Sequence, residues 1–187
     1  NISYRSGKYA LALHKYEKAI YLDRHCKGAY AGWGAAWGKI EQDKQITDNT
    51  QFFQEITDSS VFLDEVYMGW GDSLYSVEDY ATALEKYQQA IQENKNNALS
   101  YYKSALALHK LMRYEAAISN YQMAIENSAE TDQFLYTYYI LLGYSHGYLN
   151  QKSAELLKPI KKINTPAVSG YLNYGWGVAA HELKKYE

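Results

Sequence analysis

Tyr80-Ala-Thr-Ala83-Leu-Glu-Lys-Tyr87-Gln-Gln-Ala90-Ile91 is answered further along the chain by Tyr114-Glu-Ala-Ala117-Ile-Ser-Asn-Tyr121-Gln-Met-Ala124-Ile125. The landmarks Tyr80, Ala83, Tyr87, Ala90 and Ile91 each recur after 34 residues. A third copy stands earlier, at Tyr9, Ala12, Tyr16, Ala19 and Ile20, displaced from the first-quoted copy by 71 residues. A second signature alternates with the first: Tyr30-x-x-Trp33-Gly34-x-x-Trp37, Tyr67-x-x-Trp70-Gly71-x-x-Leu74 and Tyr101-x-x-Ser104-Ala105-x-x-Leu108. Weaker echoes follow at Tyr139-x-x-Leu142-Gly143-x-x-His146 and Asn173-x-x-Trp176-Gly177-x-x-Ala180.

Both signatures have helical spacing, with apolar residues at i, i+3, i+4 and i+7 forming one stripe. A small residue in mid-stripe lets a neighbouring helix come close while the flanking aromatics fill the grooves beside it. Glycine costs about 1 kcal/mol in a helix interior, so its recurrence implies a packing gain. Two helices per period, neither able to bury its stripe alone, stack on their neighbours.

The pattern resembles that of tetratricopeptide repeats (TPR), W-x2-L-G-x2-Y followed by A-x3-F at a period of 34. The resemblance runs along the whole chain, is tightest from Tyr67 to Ile125, and weakens from Phe134 onward. It implies an all-α α-solenoid: a right-handed superhelix of stacked antiparallel helix pairs, about five to six repeats, the terminal ones incomplete. Residues 1–187 read as a single such domain, expected to be a fragment of a longer chain. The expected helices are Lys8–Leu22, Lys27–Ile40, Asn49–Thr57, Asp64–Tyr75, Glu78–Glu93, Ala98–Lys110, Tyr114–Asn127 and Asp132–Leu149. A degenerate helix near Lys152–Ile163 carries Pro159, and a last helix opens with Thr165 as N-cap and Pro166 in its first turn.

Composition narrows the function. With 19 Lys and Arg against 21 Asp and Glu, the net charge is −2, which argues against a protein built to grip nucleic-acid phosphates or anionic lipid. One cysteine, Cys26, cannot make an intrachain disulfide or a cysteine-rich zinc site. The most apolar stretch, Phe134–Tyr144, falls short of the ~18 residues of a spanning helix. No basic start precedes an apolar run, so the expected localisation is soluble and cytoplasmic.

Motifs that could carry chemistry have plainer readings. Gly32-x-Gly34-x-x-x-Gly38 lacks both the spacing and the preceding strand of a phosphate loop. His109, His146 and His181 recur at repeat-like intervals, but stacked helices stand ~8–10 Å apart, too far for shared coordination at ~2 Å. Asp64-Glu65 and Glu78-Asp79 sit at expected helix starts, where the helix dipole favours acidic side chains. No G-x-S-x-G, P-loop or H-E-x-x-H string occurs. No enzyme activity and no cofactor are expected.

The tyrosine surplus is the sharpest signal. Eleven of the 21 tyrosines occupy framework positions. The resemblance implies that the inner face of each first helix lines a concave groove. Seven of the remaining ten tyrosines land there: Tyr4, Tyr75, Tyr102, Tyr144, Tyr148, Tyr171 and Tyr174. The expected groove floor runs through Met68, Asp72, Tyr75, Tyr102, Leu106, His109, Lys110, Tyr144 and Tyr174. Its expected occupant is a protein or peptide with apolar anchors and mixed charge, not a nucleic acid, with no membrane insertion and with self-association as a possible outcome. Family members that clamp a C-terminal carboxylate place asparagine at the ninth position of the repeat. Here those places read Ala35, Asp72, Leu106, Tyr144 and Val178, so a carboxylate clamp is not expected. The rival readings are the recruiting or regulatory arm of an enzyme whose catalytic domain lies outside these residues, and a self-assembly scaffold.

Overall fold

The computed structural model describes residues 2–42, 52, 54–56, 62–129, 132, 134–149 and 166–183. Eight helices are delimited among them, and no strand occurs among the described residues: α1 Ile2–Leu22, α2 Lys27–Gln42, α3 Leu63–Tyr75, α4 Tyr80–Glu93, α5 Ala98–Lys110, α6 Tyr114–Asn127, α7 Leu135–Tyr148 and α8 Pro166–Leu183. They fall into two compact units, Asn1–Lys95 and Asn96–Glu187. In the first, α1 packs on α2, α2 on α3 and α3 on α4; in the second, α5 packs on α6, α6 on α7 and α7 on α8. Consecutive packing of helices with this repeat makes the protein an all-α helical repeat of the solenoid class.

The central landmarks of the two copies quoted first are buried, as their stripes require, while Tyr80, Ile91 and Tyr114 are half-buried. Ala83, Tyr87 and Ala90 are at most 2% exposed, and Ala117, Tyr121, Ala124 and Ile125 at most 1%. The small residues do what mid-stripe small residues can do. A Cβ on Gly34 would lie 2.0 Å from the Val66 carbonyl oxygen, and one on Gly69 would lie 1.9 Å from that of Ala31. Each helix of the α2–α3 pair thus offers a glycine to the other's backbone. The α7–α8 pair repeats the device, with Gly143 against the Leu172 carbonyl at 2.0 Å and Gly175 against that of Ile140 at 1.9 Å.

Helix boundaries follow local chemistry. Ala98–Lys110 and Tyr114–Asn127 are as the spacing predicts, and Asn97 caps α5 by accepting from the amides of Leu99 at 3.1 Å and Ser100 at 3.3 Å. Helix α4 begins at Tyr80 rather than Glu78. Glu78 takes a left-handed conformation (φ 65°), and the Asp79 carboxylate caps the helix by accepting from the Thr82 amide at 3.2 Å. Helix α7 begins at Leu135 rather than Asp132, because the Asp132 carboxylate accepts from the Phe134 amide at 2.8 Å in a turn that precedes the helix. Of the expected helix Asn49–Thr57, residues 52 and 54–56 are described and helical, with Ile56 buried. The expected helix Lys152–Ile163 and the Thr165 cap lie outside the described residues.

Candidate functional site

The first unit carries three of the expected groove residues. Met68 is only 2% exposed, so it is core and offers no surface to a partner. Asp72 is exposed, and the Tyr87 hydroxyl donates to its Oδ1 at 2.9 Å. Burial, then the Asp72 charge and hydrogen bond, hold the Tyr87 phenol far above its ordinary range. Tyr75 lies half-buried, edge-on to Tyr80 with centroids 5.0 Å apart. Beside these a pocket of about 350 Å³ opens over Tyr9, Tyr16, Gly32, Ala36, Lys39 and Asp72. Lys39 is tied into the wall, its Nζ donating to the Ser73 carbonyl at 2.9 Å and the Ser76 hydroxyl at 2.7 Å.

In the second unit the expected residues part company. Tyr102 is half-buried, its ring centroid 4.9 Å from that of Tyr138 and 6.4 Å from that of Tyr121. It bridges α5 to α6 and α7, so truncating it removes inter-helix contact. Tyr102 therefore belongs partly to the packing between helices and not to a free groove floor alone. Tyr174 is the opposite case, 64% exposed. Leu106 is half-buried and Lys110 exposed.

His109 and Tyr144 meet directly, stacked with centroids 4.8 Å apart and planes 24° from parallel. His109 Nδ1 lies 3.1 Å from the Ser145 hydroxyl, and Tyr114 and Tyr148 present their rings edge-on to it. Desolvation lowers the His109 pKa to about 4, with Lys110 adding to the shift and Glu182 opposing it. The imidazole is therefore neutral at pH 7. The Tyr144 and Tyr148 hydroxyls lie 3.1 Å apart, and both donate to Glu182 Oε2, Tyr148 at 2.7 Å. Burial, then the hydrogen bonds to Glu182 and Tyr148, raise the Tyr144 pKa far above its ordinary value. Tyr144 is thus engaged with residues of both α5 and α8, and its truncation too would disturb packing.

Further along the same two helices a pocket of about 420 Å³ is lined by Ile140, Ala167, Gly170, Tyr171 and Tyr174. Tyr136, itself 50% exposed, packs on Tyr171 with centroids 4.7 Å apart. Sequence reasoning passed over Ile140, Gly170 and Glu182. Glu182 was visible as the continuation of the Tyr174-Val178 spacing by four residues, and as the residue 34 after Tyr148. Among the described residues no three His, Cys, Asp or Glu side chains are grouped to hold a metal ion. No helix of the described residues is long and apolar enough to cross a membrane.

Stacked helix pairs with exposed aromatic faces define a class, the helical-repeat interaction fold. A family model described as TPR repeat matches residues 71–111, and that stretch carries a TPR repeat. TPR repeats are characteristic of protein–protein interaction modules and are generally non-catalytic. No curated protein matches the chain.

Proposed function

We propose that the protein is a non-catalytic interaction module that holds a peptide or partner helix against tyrosine-rich faces of its helices. One observation carries the reading: the open pocket between Tyr171, Tyr174 and Ile140, next to the exposed Tyr136 ring. Tyrosine offers large contact area with little torsional freedom to lose, which is why it concentrates at interfaces. An apolar side chain of about leucine or tryptophan size fits a pocket of this volume. The smaller pocket of the first unit, with Lys39 and Asp72 at its edge, supplies opposite charges that would select orientation more than strength.

The test is a peptide-display selection on the intact chain, followed by affinity measurement on the selected sequences. Tyr174→Ala is expected to weaken them by about 1–3 kcal/mol with helicity unchanged, since the ring is exposed. Tyr21→Ala, on α1 and 84% exposed, serves as the control and is expected to leave them unaffected. Selected peptides indifferent to Tyr174 and to the pocket would refute the reading of this face. Light scattering of the free chain decides against the self-assembly alternative if the mass is that of one copy.

A further inference from the structure

Helix α1 carries a face that its packing does not use. Leu11, Lys15, Lys18 and Leu22 follow one another at intervals of four, three and four residues, so they form a single stripe. All four are exposed, Leu11 at 58% and Leu22 at 74%, while Leu13 and Ile20, turned the other way, are buried. The two leucines stand eleven residues apart, about 16 Å along the axis. Neither lysine has an ion pair with a carboxylate among the described residues. Glu17, the acidic residue between them, is directed to α2, where its Oε1 accepts from Trp33 Nε1 at 3.2 Å.

The repeat does not ask for this stripe. The equivalent places read Thr82, Lys86, Gln89 and Glu93 in α4, and Ala116, Asn120, Met123 and Asn127 in α6. Neither set has a leucine, and Lys86 is engaged within its own unit, its Nζ 3.7 Å from the centroid of the Trp70 ring. Spacing of four and three residues is that of the seam in a helix pair, where leucines supply apolar contact and charges choose the partner. The stripe reads the same in both directions, leucine outside and lysine inside. A second α1 laid along it, parallel or antiparallel, would bring lysine against lysine, which disfavours self-pairing through this face. An anionic lipid surface fits poorly as well: an interfacial helix keeps its cations beside the apolar face, whereas here they interrupt it. We propose that this stripe of α1 is a docking face for a partner helix whose own seam reads apolar, acidic, acidic, apolar. Its residues belong to the first unit and the Tyr171–Tyr174 pocket to the second, so loss of either binding activity leaves the other standing.

The test titrates the whole chain into three dye-labelled helical peptides of about 20 residues, alanine-rich and alike except in one stripe of the same spacing. That stripe reads leucine, glutamate, glutamate, leucine in the first; glutamine replaces both glutamates in the second, and lysine in the third. At ~0.05 M salt the glutamate peptide is expected to bind about five-fold or more tightly than the glutamine peptide, and the lysine peptide more weakly than either. Lys15→Gln combined with Lys18→Gln should bring the glutamate-to-glutamine ratio to near one. Lys15→Glu combined with Lys18→Glu should reverse the preference toward the lysine peptide. Leu11→Ser combined with Leu22→Ser should weaken all three while keeping their order. All four side chains are exposed, so circular dichroism of each variant should show helicity unchanged. Equal binding of the glutamate and glutamine peptides, a preference that survives the loss of both lysines, or no binding of any peptide overturns the docking face. Mixed phosphatidylcholine–phosphatidylserine vesicles are expected not to carry the chain in flotation. Flotation that is abolished by Leu11→Ser with Leu22→Ser would assign the stripe to a lipid surface and overturn the partner helix.

Discussion

A tyrosine ring and its hydroxyl can pull stability in opposite directions, and two residues show the contrast. The Tyr139 hydroxyl is fully enclosed and has no hydrogen-bond partner among the described residues, while burial raises its pKa. Tyr139→Phe keeps the ring and removes an unsatisfied polar group, so it is expected to raise stability by about 1 kcal/mol. Tyr87 is equally buried, but its hydroxyl donates to the Asp72 carboxylate at 2.9 Å. Tyr87→Phe is therefore expected to cost about 1.5–2 kcal/mol, the lower part of the range for a bond to a charged group because Asp72 is exposed. Urea melts of the two variants should shift in opposite directions, and shifts of the same sign would refute the contrast. His109 adds a pH dependence. Its pKa is about 4 in the fold against the ordinary 6.5, so between those values the unfolded chain holds a proton that the native one lacks. Stability rises with pH wherever the unfolded state binds more protons. The contribution is thus intact above pH 6.5 and is lost as the pH falls toward 4. His109→Phe keeps an aromatic ring and cannot titrate, so the gap in melting temperature between it and the wild type should be flat from pH 7 to 8 and should move in the variant's favour below 6.5.

At the scale of helices, the reciprocal glycines decide how close two elements come. A methyl group at Gly34, Gly69, Gly143 or Gly175 would lie about 2 Å from a carbonyl oxygen of the facing backbone, which a rotamer change cannot relieve. Alanine at any of these four is expected to cost about 3 kcal/mol or more, despite its better helix propensity. Gly28 and Gly170 have nothing within 4 Å of a built Cβ, so alanine there should be neutral or gain up to about 1 kcal/mol. Thermal melts of the two sets, run side by side, check the claim; similar losses in both would show that propensity rather than contact governs these positions. The same closeness marks the boundary of what could be read beforehand. Periodicity placed α5 and α6 to the residue, because stripes and the Asn97 cap are local properties. It misplaced Met68, one residue from Gly69, because spacing reports which way a residue faces along its helix and not how near the facing helix comes. It assigned Tyr102 and Tyr144 to a free surface for the same reason: their contacts to Tyr138 and Glu182 come from other helices. The hydrogen bonds of Glu182 were missed because they come from two hydroxyls that only the packed α7–α8 pair brings to it.

For the molecule as a whole, 21 tyrosines raise the alternative of a single-stranded nucleic-acid binder, since each base has a face on which an aromatic ring can stack. Stacking is worth about 1–3 kcal/mol per base, but it acts alongside a basic groove that tracks the phosphates. The charge balance opposes such a groove, 19 basic against 21 acidic residues. The rings oppose it as well, because many are already stacked on one another: Tyr114 on Tyr148, Tyr136 on Tyr171, and Tyr102 against Tyr138. A base entering there would exchange one ring contact for another and gain little. At the cluster around Glu182 the carboxylate would repel a phosphate. Fluorescence anisotropy of labelled single-stranded DNA and RNA is therefore expected to show no binding at ~0.15 M salt up to protein concentrations of ~0.1 mM, where non-specific binders with several phosphate contacts are half-bound or more. Micromolar affinity with a steep salt dependence would show that tyrosines and local cations outweigh the overall charge, and it would move the functional reading from peptides to nucleic acid.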